Sequence, residues 1–581
     1  MTENKWTAAL ASVRRVLVSA ASFSFFVNLL MLTGPLYMLQ VYDRVLTSRS
    51  EETLLVITGL ILVLFVALAS LDFARGALLA RAGSTLENEL RGDGFDYAMD
   101  VARSGVSNLA PGVQQLSDQP LRDLRQVRQF LGGPGLTAVF DAPWAPLFIA
   151  IIFYMHPLLG WVAVAGLIVL LALAALNQFS SQAANSAARA RSSQADAVAA
   201  SAFRNASAAD AMGMREALKR KWWSASEAAI DNALVANARI GGFTASTKAL
   251  RLFLQSAILG TGAYLAIQGL VSPGIMIAAS IITGRALAPV EIVTSQWQNF
   301  AATGAAYKRL RAFVSNIKEQ PPRTNLPKPV GALSVSQLYC RPTGAKDPVV
   351  RDVSFTMEAG EVLGIIGPSA AGKSTLARAL VGVEPVIGGE IRLDGAQYDQ
   401  WDRDTLGSYF GFLPQEVELF AGTAADNISR FSAEPDHESI IAAAQAAGAH
   451  EMILGFEQGY DTEIGQGGAH LSAGQRQRLA LARALYGEPI LVVLDEPNSN
   501  LDPVGDGALA HAIAGLKARN ITTVIVAHRP SAIANADRLL ILNEGRVQAL
   551  GPKDEILQRN TPAKVSPIKR PPDELVVKNS E

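Results

Sequence analysis

The chain has 581 residues, more than one ordinary domain needs and enough for a membrane unit plus a globular one. Hydrophobic residues make up 49% and charged residues 18%, and the formal net charge of -1 provides no basic field for a nucleic-acid partner. The single cysteine, Cys340, excludes an internal disulfide framework, and the six histidines are scattered without metal-ligand spacing, so no zinc site is expected.

A bilayer core of about 30 Å asks for roughly 20 apolar residues per helix. Six stretches qualify: Val16–Leu39, Leu54–Phe73, Leu136–Tyr154, Leu158–Phe179, Leu250–Gln268 and Gly274–Ser295. Arg14 and Arg15 precede the first, but that run is too long for a secretory signal core and leads straight into a second span, so an uncleaved helix is expected. Lys and Arg crowd the segments before the first span, between the second and third, between the fourth and fifth, and after the sixth. The turns at His156–Pro157 and Leu270–Pro273 carry none, which places the basic segments and both termini in the cytoplasm. Both long basic loops are rich in Ala, Leu, Gln, Arg and Glu, so the spans are expected to run on as helices beyond the bilayer.

Ionisable residues inside spans are costly and tend to face a polar interior. Arg285 and Glu291 in the sixth span, with Lys248 and Arg251 at the start of the fifth, could line a path or steady helix packing. Asp43–Arg44, at the outer end of the first span, suits contact with a partner or capping equally well, whereas Asp141 beside Pro143 is expected to shape a kink. Bends in the cytoplasmic loops are expected near Ala209–Met214 and between Val101 and Pro120, as coupling elements or as solvated amphipathic helix.

The resulting organisation is an N-terminal segment (1–15), an all-α six-span transmembrane domain (16–319), a Pro-rich linker (320–330), an α/β nucleotide domain (331–559) and a polar tail (560–581) expected to be disordered. In the α/β half, Gly367-Pro368-Ser369-Ala370-Ala371-Gly372-Lys373-Ser374 fits the phosphate-binding loop without a mismatch. It follows the apolar strand Val362–Ile366 and opens a helix, the context that loop requires. Its backbone N–H groups can wrap phosphates, Lys373 can reach the β- and γ-phosphates, and the Ser374 hydroxyl can ligate Mg2+, with Thr375 completing the ATP-binding run. Downstream, Ile490–Leu494 is an apolar strand ending in Asp495, suited to hold Mg2+, and Glu496, suited to polarise the attacking water.

Between these motifs, Leu471-Ser472-Ala473-Gly474-Gln475 resembles the signature of ATP-binding-cassette ATPases, with Ala473 in place of a glycine. That resemblance implies that the signature of one chain closes over ATP held by another, with the Ala473 methyl slowing closure without abolishing it. It also implies that Gln415 links the metal to the membrane half, that Asp502 belongs to the loop coupling the two sites, and that His528 contacts the γ-phosphate. Tyr339 or Arg341 stands near the place of the residue that stacks on adenine. Glu463-Ile-Gly-Gln466-Gly resembles an exporter coupling segment, with Gln466 where an acid is common. One phosphate loop and one signature per chain imply a homodimer.

Six spans preceding one nucleotide domain match the exporter half-transporter layout. Met38–Leu46, Phe140–Pro146, Gly284–Pro289 and Asp495–Asp502 resemble type I secretion transporters, most closely the PrtD-type group that exports proteases, lipases and surface-layer proteins. The first span begins so early that no N-terminal peptidase-like domain is expected. The resemblance implies a periplasmic adaptor, an outer-membrane channel protein and an unfolded polypeptide cargo with a C-terminal secretion signal, in an inner membrane whose lipid surrounds the spans. The competing readings are an exporter of lipids or small amphiphiles and an ATP-gated channel; Glu496 and His528 favour hydrolysis over the latter. An importer is disfavoured because importers usually keep membrane and nucleotide parts on separate chains.

Overall fold

The computed structural model describes residues 3–104, 119–316, 326–342, 345–529 and 531–560. The chain forms two compact units with the boundary at Glu319–Gln320. The tail beyond Asn560 and most of the expected bend between Val101 and Pro120 lie outside the described residues.

The first unit is helical, and six of its segments are long and apolar enough to cross a membrane: 7–48, 51–100, 134–155, 157–204, 215–267 and 273–295. Three helices far outrun a bilayer: Glu51–Ser104 has 54 residues, Pro157–Arg204 has 48 and Arg215–Ile267 has 53. At 1.5 Å per residue each exceeds about 70 Å, the helical continuation beyond a bilayer expected from the loop composition. Proline sets the interruptions. The first span breaks between Leu30 and Thr33, ahead of Pro35, and winds into a π-helical turn at Val41–Val45. The third span breaks into a 3-10 turn at Ala142–Trp144, at Pro143. None of the apolar window of the second span is buried, and Leu55, Val56 and Phe73 are exposed, a surface suited to hydrocarbon.

Several charges inside the spans are paired. Arg75, almost fully buried, donates to Asp141 at 2.8 Å and to Asp72 at 2.6 Å, while Ser24 and Asn28 of the first span bond to Arg75 and Asp141 respectively. Asp141 thus joins three spans through its side chain, a role beyond the kink expected of it. Arg251 pairs with Glu291 at 2.8 Å, tying the fifth span to the sixth. Arg285 is the exposed residue on an otherwise enclosed stretch, Gly274–Thr294.

The second unit has two sheets. Strands β1 (Leu333–Cys340), β2 (Val350–Met357), β4 (Val386–Leu393) and β5 (Ala396–Gln397) form an antiparallel sheet in the order β2-β1-β4-β5. Strands β3 (Val362–Ile366), β6 (Phe410–Leu413), β7 (Leu491–Asp495), β8 (Thr522–Val526), β9 (Arg538–Asn543) and β10 (Arg546–Pro552) form the second, ordered β10-β9-β3-β8-β7-β6. All its pairings are parallel except that of β10 with β9. Every residue of β7 and β8 is buried, which explains their unbroken apolar runs: parallel strands covered on both faces have no solvent side to alternate with.

Candidate nucleotide site

The carboxyl ends of β3, β6, β7 and β8 converge on one edge of the parallel sheet, where such folds bind ligands. Register pairs Ile365 of β3 with Val526, Asp495 of β7 with Val526, and Leu413 of β6 with Leu494. The residues just beyond those pairs are Gly367, Glu496, His528 and Gln415, so the sheet gathers motifs spread over more than 160 positions of sequence.

The loop after β3 leads into the helix Lys373–Leu380. Gly367 is required by close approach, because a Cβ there would lie 2.1 Å from the Leu542 carbonyl oxygen. Pro368, Ser369 and Ala370 form the exposed crown, Ala370 with φ 63°, while Ala371, Gly372, Lys373 and Thr375 are buried. The Lys373 ammonium donates to the carbonyls of Gly367 (2.9 Å) and Pro368 (2.8 Å), so the loop supplies its own acceptors for that charge. Burial holds the Lys373 pKa below the usual lysine range, against the attraction of Glu496 and Asp495.

The Ser374 hydroxyl donates to Asp495 Oδ1 at 3.2 Å. Asp495 is buried at the strand end, and burial pushes its pKa up despite the Ser374 hydrogen bond. Gln415 is exposed on the loop leaving β6. This donor set of hydroxyl, carboxylate and amide oxygen is hard and suits Mg2+, and a buried carboxylate at a strand end gains most from a cation. Glu496 sits in left-handed backbone (φ 49°), with its N–H held by the Val526 carbonyl at 2.9 Å. Its Oε1 lies 3.1 Å from His528 Nε2. A cleft of about 320 Å³ adjoins them, lined by Ile366, Gly367, His528, Arg529 and Lys553 among others.

Tyr339 and Arg341 share one side of the chain. β1 carries a bulge before Leu338, with Gln337 at φ 46°, after which Leu338 and Cys340 are buried while Tyr339 is half-buried and Arg341 exposed. The Val349 N–H donates to the Cys340 carbonyl (2.9 Å), and a Cβ on Gly372 would lie 3.1 Å from the Val349 oxygen, so Val349 links this segment to the phosphate loop.

The signature opens the helix Ala473–Leu485. Ser472 and Gln475 form a capping box: the Ser472 hydroxyl accepts the Gln475 N–H (3.2 Å) and the Gln475 side chain accepts the Ser472 N–H (2.8 Å). Leu471 anchors the turn in the core, Ala473 is exposed, and a Cβ on Gly474 would lie 3.1 Å from the Asn500 oxygen. Asp502 caps the helix Pro503–Ala518, accepting the Gly505 N–H at 2.7 Å. Ahead of the signature, Gln466–Gly468 is a 3-10 turn beside the bridge of Glu463 with Thr423.

One functional-site residue escaped the sequence reading. Gln477, two residues past the signature, is buried and bonds to the segment following Glu496. Its signal was an amide in register with buried Leu479, Ala480 and Leu481, a position where a polar group needs partners. In the first unit, the bend at Ala209–Met214 is a short helix (Ala206–Ala211) closed by Gly213 at φ 65°. Beside it lies a cavity of about 670 Å³ bordered by Phe203, Asp210, Arg215 and Trp222, with Met212 and Trp223 exposed.

Residues 350–499 match the family described as ABC transporter, and residues 17–286 match the ABC transporter transmembrane region. The type I secretion system ATP-binding protein PrsD of Rhizobium meliloti (strain 1021) is 45% identical over 550 residues, covering 95% of this chain and 94% of that protein. The alpha-hemolysin translocation ATP-binding protein HlyB of Escherichia coli O157:H7 is 27% identical over 95% of this chain and 78% of its own length. A solved bacterial Atm1-family ABC exporter with ATP bound superposes with a TM-score of 0.80 over 95% of this chain and 97% of that one; at 20% identity it shares the fold. With its nucleotide motifs assembled at one sheet edge and six spans ahead of them, the chain belongs to the ATP-binding-cassette transporters, among the type I secretion ATP-binding proteins.

Proposed function

We propose that this ATPase is the inner-membrane engine of a type I secretion system, exporting unfolded polypeptides that carry a C-terminal secretion signal. The observation that carries the reading is near end-to-end similarity to a secretion ATPase together with a complete hydrolytic set, Ser374 beside Asp495 and Glu496 beside His528, on a six-span chain.

ATP is held by the backbone of Gly367–Thr375 and the Lys373 ammonium, with Tyr339 or Arg341 against the base. Ser374, Asp495 and Gln415 hold Mg2+, which when bound offsets phosphate charge. Glu496 orients the attacking water and takes up its proton, and His528 fixes the Glu496 carboxylate while reaching the γ-phosphate. Leu471–Gln475 of a second copy closes the site, the positive end of its helix facing the phosphates, and Asp502 couples the two sites across the homodimer. The Ala209–Met214 bend docks on the partner's nucleotide domain, its exposed Met212 and, on the helix that follows, exposed Trp223 giving apolar contact. Arg285, exposed on the sixth span, lines the path of the cargo. A periplasmic adaptor and an outer-membrane channel protein continue that path, with both termini of the transporter in the cytoplasm.

Comparing culture medium from wild type and a Glu496→Gln strain tests this. One or a few large proteins vanishing from the mutant medium is expected. An unchanged set of secreted proteins overturns the protein-cargo reading and directs attention to lipids.

A further inference from the structure

Gln477 occupies a place the hydrolytic scheme does not use. It lies on the signature helix, 3% exposed, with both ends of its amide engaged. Nε2 donates to the Pro497 carbonyl and lies 3.4 Å from the Glu496 carbonyl oxygen, while Oε1 accepts the Asn500 N–H at 3.1 Å. All three contacts fall on Glu496–Asn500, the turn leaving β7. That turn is held by a Ser499 N–H to Glu496 carbonyl bond of 3.1 Å and begins with Glu496 in left-handed backbone. The signature helix also packs closely against the turn at Gly474, where a Cβ would lie 3.1 Å from the Asn500 oxygen, so the amide bonds of Gln477 tie together two segments already in close approach.

We infer that Gln477 is a positioning residue that makes the signature helix and the Glu496 turn move as one piece, so that ATP gripped by a chain's signature sets the aim of that same chain's Glu496. The inference rests on the homodimer reading, in which the signature and Glu496 of one chain serve opposite ATP sites. A buried amide saturated at both ends tolerates little displacement, since losing either partner leaves a polar group unpaired. A shift of the signature helix is therefore passed to the backbone from which the Glu496 side chain springs. Because a misplacement of about 1 Å in a catalytic group costs on the order of 100-fold in rate, even a partial loss of this tie is measurable.

The test uses the full-length protein in lipid nanodiscs, with ATP as the varied ligand. Gln477→Met keeps the length of the side chain and removes both hydrogen bonds. The expected result is a fall in kcat of about 10-fold, KM for ATP within about twofold of wild type, and a Hill coefficient falling from above 1 to about 1. Gln477→Asn keeps an amide donor and acceptor on a stem one methylene shorter and should recover part of kcat and of the cooperativity. A merely structural role would lower the melting temperature and the number of active sites while leaving kcat per active site and the Hill coefficient at wild-type values; that outcome overturns the inference, as does a Gln477→Met protein equal to wild type. Sedimentation of the ATP-loaded Glu496→Gln protein separates the two premises: a dimer is expected, and a monomer overturns the two-site reading itself.

Discussion

The Asp43 carboxylate accepts the Gly274 backbone N–H at 2.8 Å across 231 residues of chain, and its second oxygen takes the Ser272 hydroxyl at 2.5 Å. The π-turn at Val41–Val45 aims Asp43 at the first turn of the sixth span, and Gly274 leaves room for it, since a Cβ there would come within 2.7 Å of the carboxylate. Of the two roles open to Asp43 in the sequence, the geometry supplies capping, with a negative charge at a helix N-terminus.

Asp43→Ala should therefore destabilise the full-length protein by about 1–2 kcal/mol. Gly274→Ala should do so comparably, by displacing the same carboxylate. Their combination should cost little more than either alone, because both remove one interaction. Thermal unfolding in detergent reads this; additive losses would contradict it.

The Arg75–Asp141 pair makes a different prediction. Removing one partner of a buried ion pair costs about 3–5 kcal/mol, whereas replacing both by apolar groups is often near neutral. Asp141→Ala should lower the melting temperature sharply, softened by the Asp72 contact that Arg75 retains. Arg75→Met combined with Asp141→Ala should recover most of the loss. A double variant worse than the single would show that the pair stabilises the packing of the three spans by its charge.

Asp495 gives a pH dependence. Burial raises its pKa in the folded protein above the unfolded value, so the ionised form opposes folding. The stability this group contributes is fully present below the unfolded aspartate value of about 3.9 and is lost as pH rises through the folded pKa. In nucleotide-free, Mg2+-free protein, Asp495→Asn should therefore raise the melting temperature at neutral pH. The gain should shrink as pH falls toward the ordinary aspartate range. The same variant should lose ATP hydrolysis, so stability and activity move in opposite directions. A melting temperature lowered at neutral pH would refute the assignment.

Gly367→Ala should abolish ATP binding, because its Cβ would sit 2.1 Å from the Leu542 carbonyl, a backbone atom of β9 that cannot step aside. Binding of a fluorescent ATP analogue measures it. Gly395→Ala, at a turn with open space around the Cβ, is the control: its left-handed φ of 81° costs some stability but should leave nucleotide affinity unchanged.

What the sequence determined by itself is what its local pattern contains. The phosphate loop is eight consecutive residues whose backbone does the binding, so Gly367–Ser374 could be read before any fold was known. The Asp495–Glu496 strand end was a weak signal by itself and became legible through its pairing with the phosphate loop, since buried strands end in carboxylates where a cation is held. The spans declared themselves by length and apolarity, and their long helical continuations beyond a bilayer by loop composition. The tertiary structure decided what depends on distant partners. Asp43 finding Gly274, Arg251 finding Glu291, and Asp141 joining Arg75 and Asn28 are pairings between separate helices, and periodicity within one helix says which face a residue occupies but not what lies opposite. Gln477 shows the same limit at short range: the sequence reading passed over it, and only the folded chain brought the Glu496 turn within reach of its amide.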